Sequence, residues 1–370
     1  MCCKLAAIAS WLAAIAAKGG DAMEMASQSR PTLSTVVMSY LAVNHRIEPA
    51  TAELTKRVFS YARNVFGDMR ITDFGHAQAE QFQSWAIESG RNPVSANIYI
   101  KTIRPIFRWA MRRDLIAKDP FGQLRLFRIP KKMIRIYEPF EFQAMLSSCP
   151  NKLWQARLLL AKTAGLRRSE VLNLTVNDVD FGRGILYVQT KKETHHTWRW
   201  MPKDKDLREL PLVEHLNNLL IKLQNELPEG QPYLMMTRNR YKRIMQLKAR
   251  DRLSWRIRVC PDENWSKPFE RILKRAEITG TFHDLRRTCI TEWLENGLQP
   301  HEVMRLAGHS SIDTTMRYYV TTRRSLIDKA RLASSECLGK NNQGHRPLIQ
   351  KPMAPNNINV GATGLEPATS

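Results

Sequence analysis

The sequence predicts a mainly α-helical protein with two domains. The first is all-α with four helices, and the second is mixed, mostly helical with a small antiparallel three-stranded sheet. Three observations carry this expectation. Residues 31–127 hold four stretches of helical apolar period with recognisable caps and no alternating strand pattern. Residues 139–336 return to the helical period. Between about 184 and 212, short runs rich in β-branched and aromatic residues break it. A chain of 370 residues, 43% of them hydrophobic, can fill two cores of this size.

Taken in order, "TLSTVVMSYLAV" (32–43) opens on a threonine or serine cap, and "TAELTKRVFSYARNVFG" (51–67) runs from a Thr-x-Glu start to a stop at Gly67. "GHAQAEQFQSWAIESG" (75–90) places Phe82 and Trp85 on one face. "NPVSANIYIKTIRPIFRWAMRRDLI" (92–116) offers Val94, Ile98, Ile103, Phe107 and Ala110 or Met111 as its stripe, with a kink or break expected at Pro105. Residues 128–138 form a basic linker bracketed by Pro130 and, just beyond it, Pro139. Helices are then expected at about 139–148, 151–164 and 168–174. "GILYVQT", "HTWRWMPK" and "RELPL" follow as a three-stranded meander, and helices return at 213–226, 265–277, 283–296, 299–306, 311–318 and 323–335. Residues 1–30 read as a leader without fixed structure, with Met23 or Met25 as the expected start. Residues 337–370, rich in Asn, Pro and Gly, read as a disordered tail.

Composition narrows the function. A formal charge of +22 and a pI of about 10.0 repel a compact body from itself unless the partner is a polyanion, and nucleic acid is the usual one. A membrane surface would call for a basic amphipathic helix or a lipid anchor, and neither is evident. No run approaches eighteen apolar residues. Six scattered cysteines without a C-x-x-C pair suggest a reducing, cytoplasmic setting and no structural zinc. Between 101 and 135, eleven basic residues face two acidic ones. Arg104, Arg108, Arg112, Arg113, Lys131, Lys132 and Arg135 are therefore expected on the phosphate backbone of DNA. A second basic stretch, "RNRYKRIMQLKARDRLSWRIR", adds Arg240, Lys242 and Arg243.

Three segments concentrate reactive side chains. In "TAGLRRSEVLNL", Arg167 sits at a turn before a helix, where a planar guanidinium matches two anionic oxygens. In "HDLRRTCITEWL", His283 and Arg286 are three residues apart at a helix start. In "GHSSIDTTMRYY", His309 precedes Tyr318 by nine residues. Tyr318 and Tyr319 point about 100° apart on a helix, so only one can face a given phosphate. The tandem His195–His196 reads as an exposed turn, Cys289 as a small buried hydrophobe, and Trp198 and Trp200 as core.

The order G-L-R-x-S-E, then H-x-x-R, then G-H with Tyr nine residues on, resembles the tyrosine recombinase (phage integrase) family over about residues 31–335. The resemblance implies a SAM-like, core-binding helical domain at 31–127 and a catalytic domain at 139–336 that clamp duplex DNA between them. Arg167 and Arg286 would hold the scissile phosphate, His283 and His309 would be hydrogen-bonding and acid–base partners, and Tyr318 would be the nucleophile. A lysine of the turn after the second strand falls on Lys191, with Lys192 in reserve, although the "HHTWRWMPKDKD" excursion that follows is longer than the family pattern. Such chemistry keeps the energy of the broken bond in a 3′-phosphotyrosyl link, so neither metal nor ATP is expected. The sequence offers no Gly-rich phosphate loop, no H-E-x-x-H and no two-metal carboxylate cluster. The implied protein is a site-specific recombinase that integrates or excises a mobile element as a tetramer on two duplexes. A type IB topoisomerase-like relaxing enzyme and a non-catalytic DNA-binding relative are the alternatives.

Overall fold

The computed structural model describes residues 30–319, apart from 131–133, 204–206 and 263, together with 331, 332, 334 and 335. The leader, the tail, most of the helix expected at 323–335 (all but 331, 332, 334 and 335, which are helical) and the linker residues Lys131 and Lys132 lie outside the described residues.

Four helices, α1 (Leu33–Val43), α2 (Pro49–Phe66), α3 (His76–Glu88) and α4 (Pro93–Met111), enclose one core. Thr32 caps α1 through its side chain, and Gly67 ends α2 in a backbone conformation with φ of +73°. The core-facing side of α4 carries Ala96, Ile100, Ile103, Phe107 and Ala110, a spacing of three and four residues. Val94 and Ile98, expected in this stripe, are exposed instead, because they lie off that arc. Pro105 is accommodated inside the helix, which continues to Met111. Phe74, from the turn before α3, lies 4.7 Å from Phe107 and fills the centre of the bundle.

The second core is built on α6 (Lys152–Thr163), flanked by α5 (Pro139–Ser147) and α7 (Arg168–Leu172). The sheet follows, with β1 (Val179–Asp180), β2 (Ile185–Val188) and β3 (Arg208–Pro211) in the order β1-β2-β3, all antiparallel. Leu186 pairs with Val179 on one side and Leu210 on the other. The expected meander is therefore corrected. Its first strand is 179–180, and "HTWRWMPK" is a loop closed at its base by one bridge between Lys191 and Trp200. Side-chain burial explains the difference, because the stretch is fastened by its tryptophans rather than by a backbone ladder. Trp198 is fully buried, stacks on Tyr233 at 4.0 Å and donates to Asn173 Oδ1 at 3.0 Å.

The chain continues through α8 (Glu214–Asn225), α9 (Arg238–Ala249), α10 (Trp255–Val259), α11 (Ser266–Arg275), α12 (Phe282–Glu295), α13 (Pro300–Ala307) and α14 (Ile312–Tyr319). Helices α9 and α10 were not expected. Their density of basic residues hides a two-residue apolar anchor, Tyr241 and Ile244, which seats α9 beside Trp198 and Trp200. Among the described residues no helix is long and apolar enough to cross a membrane.

Removing the Trp198 side chain should cost about 3–5 kcal/mol, the usual loss for a large buried aromatic. Trp198→Ala is expected to shift the urea midpoint down accordingly while leaving the helical content of the folded state unchanged.

Candidate active site

Helix α6 ends at Gly165, whose φ of +61° turns the chain sharply. A Cβ there would approach the Trp293 ring at 3.1 Å and Cys289 Sγ at 3.4 Å, so only glycine lets this turn pass so close to α12. The turn delivers Arg167 to the N-cap of α7. There Glu170 Oε2 accepts the Arg167 backbone N–H at 2.8 Å, and Glu170 Oε1 accepts from Nη1 at 3.0 Å. Arg167 Nη2 donates to the Gly308 carbonyl at 2.6 Å, which ties the α7 start to the end of α13.

Helix α12 is capped by Thr281 with Asp284, an arrangement that leaves His283 in the exposed first turn and sends Arg286 inward. Arg286 is 2% exposed. Its Nη1 donates to the Gly165 carbonyl and its Nη2 to the Ala307 carbonyl, each at 2.5 Å. Helix α13 closes on Gly308 in the left-handed region (φ 63°, ψ 53°), and the His309 N–H returns to the Met304 carbonyl at 3.0 Å. His309 Nδ1 is 2.9 Å from Thr315 Oγ1, and its ring lies nearly parallel to Tyr318, with centroids 6.0 Å apart. Tyr318 packs on Ile290, Leu294, Val303 and Ala307, which belong to α12 and α13.

Arg167, Arg286, His309 and Tyr318, far apart in sequence, thus meet at one place, with His283 at its edge. The electrostatics reflect this crowding. Burial, and then the Arg167 charge, push the Arg286 guanidinium down to about 10, while Glu170 and Tyr318 act in the opposite sense. His309 is pushed down to about 4, first by burial and then by Arg286, Arg167, Arg208 and His283. His283, although it keeps an exposed surface, is likewise pushed down to about 4, first by the partial loss of water around its ring and then by Arg287, Arg286 and Arg167, against Asp284. Both imidazoles are neutral near pH 7. Burial pushes the Glu170 carboxyl up, but Arg208, Arg286 and Arg167 outweigh it and hold it below its usual range. Three guanidinium groups around one carboxylate and two neutral imidazoles are complementary to a phosphate.

Arg208 and Glu170 belong to this cluster, although in the sequence Glu170 stands only as part of a motif and Arg208 only as part of a strand. The available signal was phase. Arg208 and Leu210 are the inward residues of β3, and an arginine in a core phase needs a charged partner.

Lys191 is held by other groups. Its Nζ is 2.7 Å from Asp178 Oδ2 and 5.1 Å from the centroid of the Trp200 ring, and its side chain is 8% exposed. Burial pushes its pKa down, against Asp178. Lys192 is exposed.

The basic residues expected on DNA divide into two groups. Arg104 donates to the carbonyls of Phe121 and Leu124, Arg135 binds Glu141 at 2.5 Å beneath the Tyr137 ring, and Arg240 donates to the Pro261 carbonyl. Arg108 is exposed and 3.2 Å from Asp119, Arg113 stacks on Trp109, and Arg112, Lys242 and Arg243 are exposed. Among the described residues no group of three or more His, Cys, Asp or Glu side chains is placed to hold a metal ion.

Residues 136–324 match the model of the phage integrase family. Tyrosine recombinase XerA of Thermococcus kodakarensis is 27% identical over 266 residues, 70% of this chain and 83% of that protein. XerA of Pyrococcus furiosus is 26% identical over 309 residues, 82% and 96% respectively. Among solved structures, the Tn1549 transposon integrase in complex with transposon right end DNA superposes with a TM-score of 0.64 at 18% identity, covering 81% of this chain and 99% of that one. A lambda integrase dimer bound to a COC′ core site gives 0.60 at 18% identity, covering 86% and 87%.

Two expectations follow from the geometry. Gly308→Ala must hold an L-residue in the left-handed region and bring a methyl group to 3.0 Å from Arg208 Nη1, so it should lose about 1–2 kcal/mol in chemical denaturation. Acidification should also destabilise the fold. Between the ordinary histidine value near 6.5 and about 4, the unfolded chain binds protons that folded His283 and His309 do not, so stability falls as pH drops through that window. Thermal midpoints measured from pH 7 to pH 4 should fall less steeply in His309→Gln than in the wild type.

Proposed function

The chain belongs to the phage integrase family and is a tyrosine-type site-specific recombinase, and from this premise we propose that the cluster of Arg167, His283, Arg286, His309 and Tyr318 cuts and rejoins its DNA. One observation carries the assignment. The guanidinium groups of Arg286 and Arg167 both bond to the turn Ala307–Gly308 that leads to His309 and Tyr318, so the phosphate grip and the nucleophile share one scaffold.

In this reading Arg167 and Arg286 take the non-bridging oxygens of a backbone phosphate and offset the charge that builds as phosphorus becomes pentacoordinate. The Tyr318 oxygen forms a bond to phosphorus while the bond to the 5′ oxygen breaks. A neutral imidazole accepts the phenolic proton, because a phenol with an ordinary pKa near 10 is otherwise a poor nucleophile at pH 7. The departing 5′ oxygen takes a proton from an acid in the site. The products are a 3′-phosphotyrosine and a free 5′ hydroxyl, and the reverse attack by another strand's 5′ hydroxyl reseals the backbone. Lys191 serves this step only after exchanging Asp178 for DNA; Lys192 is the alternative donor on the same loop.

The substrate is double-stranded DNA at attachment sites, and the net charge of +22 supports a wide phosphate footprint. Arg108, Arg112, Arg113, Lys242 and Arg243 are the exposed candidates to touch it. The reaction integrates or excises a mobile element, in the cytoplasm, through four protomers on two synapsed duplexes.

The test is covalent capture. Nicked duplexes with a randomised core are incubated with the protein, and adducts stable to detergent are recovered and sequenced. Tyr318→Phe should abolish the adduct altogether, and adducts that persist would move the nucleophile elsewhere. Arg286→Ala should slow adduct formation by about 10²–10³-fold. Paired selected sites should yield strand exchange, whereas relaxation of supercoils without exchange would favour a topoisomerase.

A further inference from the structure

Arg208 is the third guanidinium of the site, and its side chain is almost wholly withdrawn from solvent. It sits on β3 with its side chain 4% exposed, behind Gly308. Its Nη2 donates to Glu170 Oε2 at 2.6 Å, and Glu170 is itself 2% exposed. The same carboxylate takes two bonds from Arg167, one from the backbone and one from Nη1. Arg208 also presses on the turn that leads to His309, where a Cβ on Gly308 would meet its Nη1 at 3.0 Å.

Stability alone does not account for this arrangement. Buried ion pairs contribute little net stability, because desolvation offsets their attraction, and a hydrophobic residue at an inward strand position serves the core at least as well. Arg208 Nε is moreover buried without a hydrogen-bond partner in the protein, a further cost. The arrangement makes sense as charge balance. Glu170 orients Arg167, but alone it would cancel half of the positive charge that Arg167 and Arg286 offer. With Arg208 included, three guanidinium charges stand against one carboxylate and leave a net charge of two. A phosphodiester under attack by an oxyanion carries two negative charges in its pentacoordinate state, one more than at rest.

We propose that Arg208 is a positioning residue for strand cleavage. By pairing with Glu170 it lets that carboxylate aim Arg167 without spending the site's positive charge, and so selectively favours the doubly charged transition state. This rests on the reading that Arg167 and Arg286 hold the scissile phosphate. The role differs from simple DNA binding, because a group so buried behind the site affects the rate of cleavage rather than the affinity for the duplex.

The experiment compares Arg208→Lys, Arg208→Gln and the double variant Glu170→Gln/Arg208→Gln with wild type. The readouts are single-turnover adduct formation on the nicked duplex recovered by the capture selection, binding of the same duplex, and the thermal midpoint. Arg208→Gln should slow adduct formation by about 100-fold, within the range for one electrostatic contact, with duplex affinity unchanged within about 3-fold. Arg208→Lys, which keeps the charge without the fork, should retain most of the rate. The double variant restores the net charge of two and should recover at least 10-fold of the rate lost by Arg208→Gln. Equal loss in the lysine and glutamine variants, no recovery in the double variant, or affinity falling in step with rate would each overturn the proposal. Should Arg208→Gln not fold, the rate of Arg208→Lys alone decides, and loss comparable to Arg286→Ala overturns it. A wild-type chain that forms no Tyr318-dependent adduct overturns the underlying reading and this proposal with it, whereas a reactive wild type with unaffected Arg208 variants overturns this proposal alone.

Discussion

The geometry of the site depends on one buried side chain that bridges two turns. Arg286 leaves the first half of α12 and donates to the carbonyls of Gly165 and Ala307. Ala307 is the last residue of α13, where carbonyls lack partners within the helix and a cation is favoured, and Gly165 lies in the turn just past the end of α6. The residues that follow these turns are Arg167 on one side and His309 on the other. A single guanidinium thus joins these two turns and sets the spacing between the groups that converge on the site.

That economy gathers like charges. Arg167, Arg286 and Arg208 crowd one carboxylate, and burial, with that crowding added to it, lowers the basicity of Arg286, His283 and His309. The fold tolerates the repulsion because Glu170 lies between the arginines and because the Gly165, Ala307 and Gly308 carbonyls accept their hydrogen bonds. Such a cluster of like charges is costly to the free protein, the usual relation between a functional site and the stability of the fold around it.

Sequence patterns anticipated most helices because their ends are written in local chemistry, such as Thr32 before α1, Gly67 after α2 and Gly308 after α13. The motif order also anticipated the meeting of Arg167, Arg286, His309 and Tyr318. Three things escaped it. Helix α9 was hidden because its basic surface dominates the composition and only Tyr241 and Ile244 face inward. The middle strand of the expected meander is a loop because Trp198 and Trp200 alternate like strand residues, yet they are held by stacking and by Asn173 rather than by a neighbouring strand. The partner of Lys191 was invisible because Asp178 lies thirteen residues away, and only folding shows that its carboxylate also closes the turn at Thr175.

Tyr318 rides on an eight-residue helix, and its apolar support is a small cluster drawn from α12 and α13, separate from the main core. Arg286 is by comparison 2% exposed and bonded to two backbone carbonyls. If Tyr318 holds the cut strand as proposed, a load applied to the tyrosine, such as a tethered strand swinging toward a new partner, falls on α14 before it reaches the arginines. On the proposed reading, the hand that carries the strand can give way while the hand that grips the phosphate stays still.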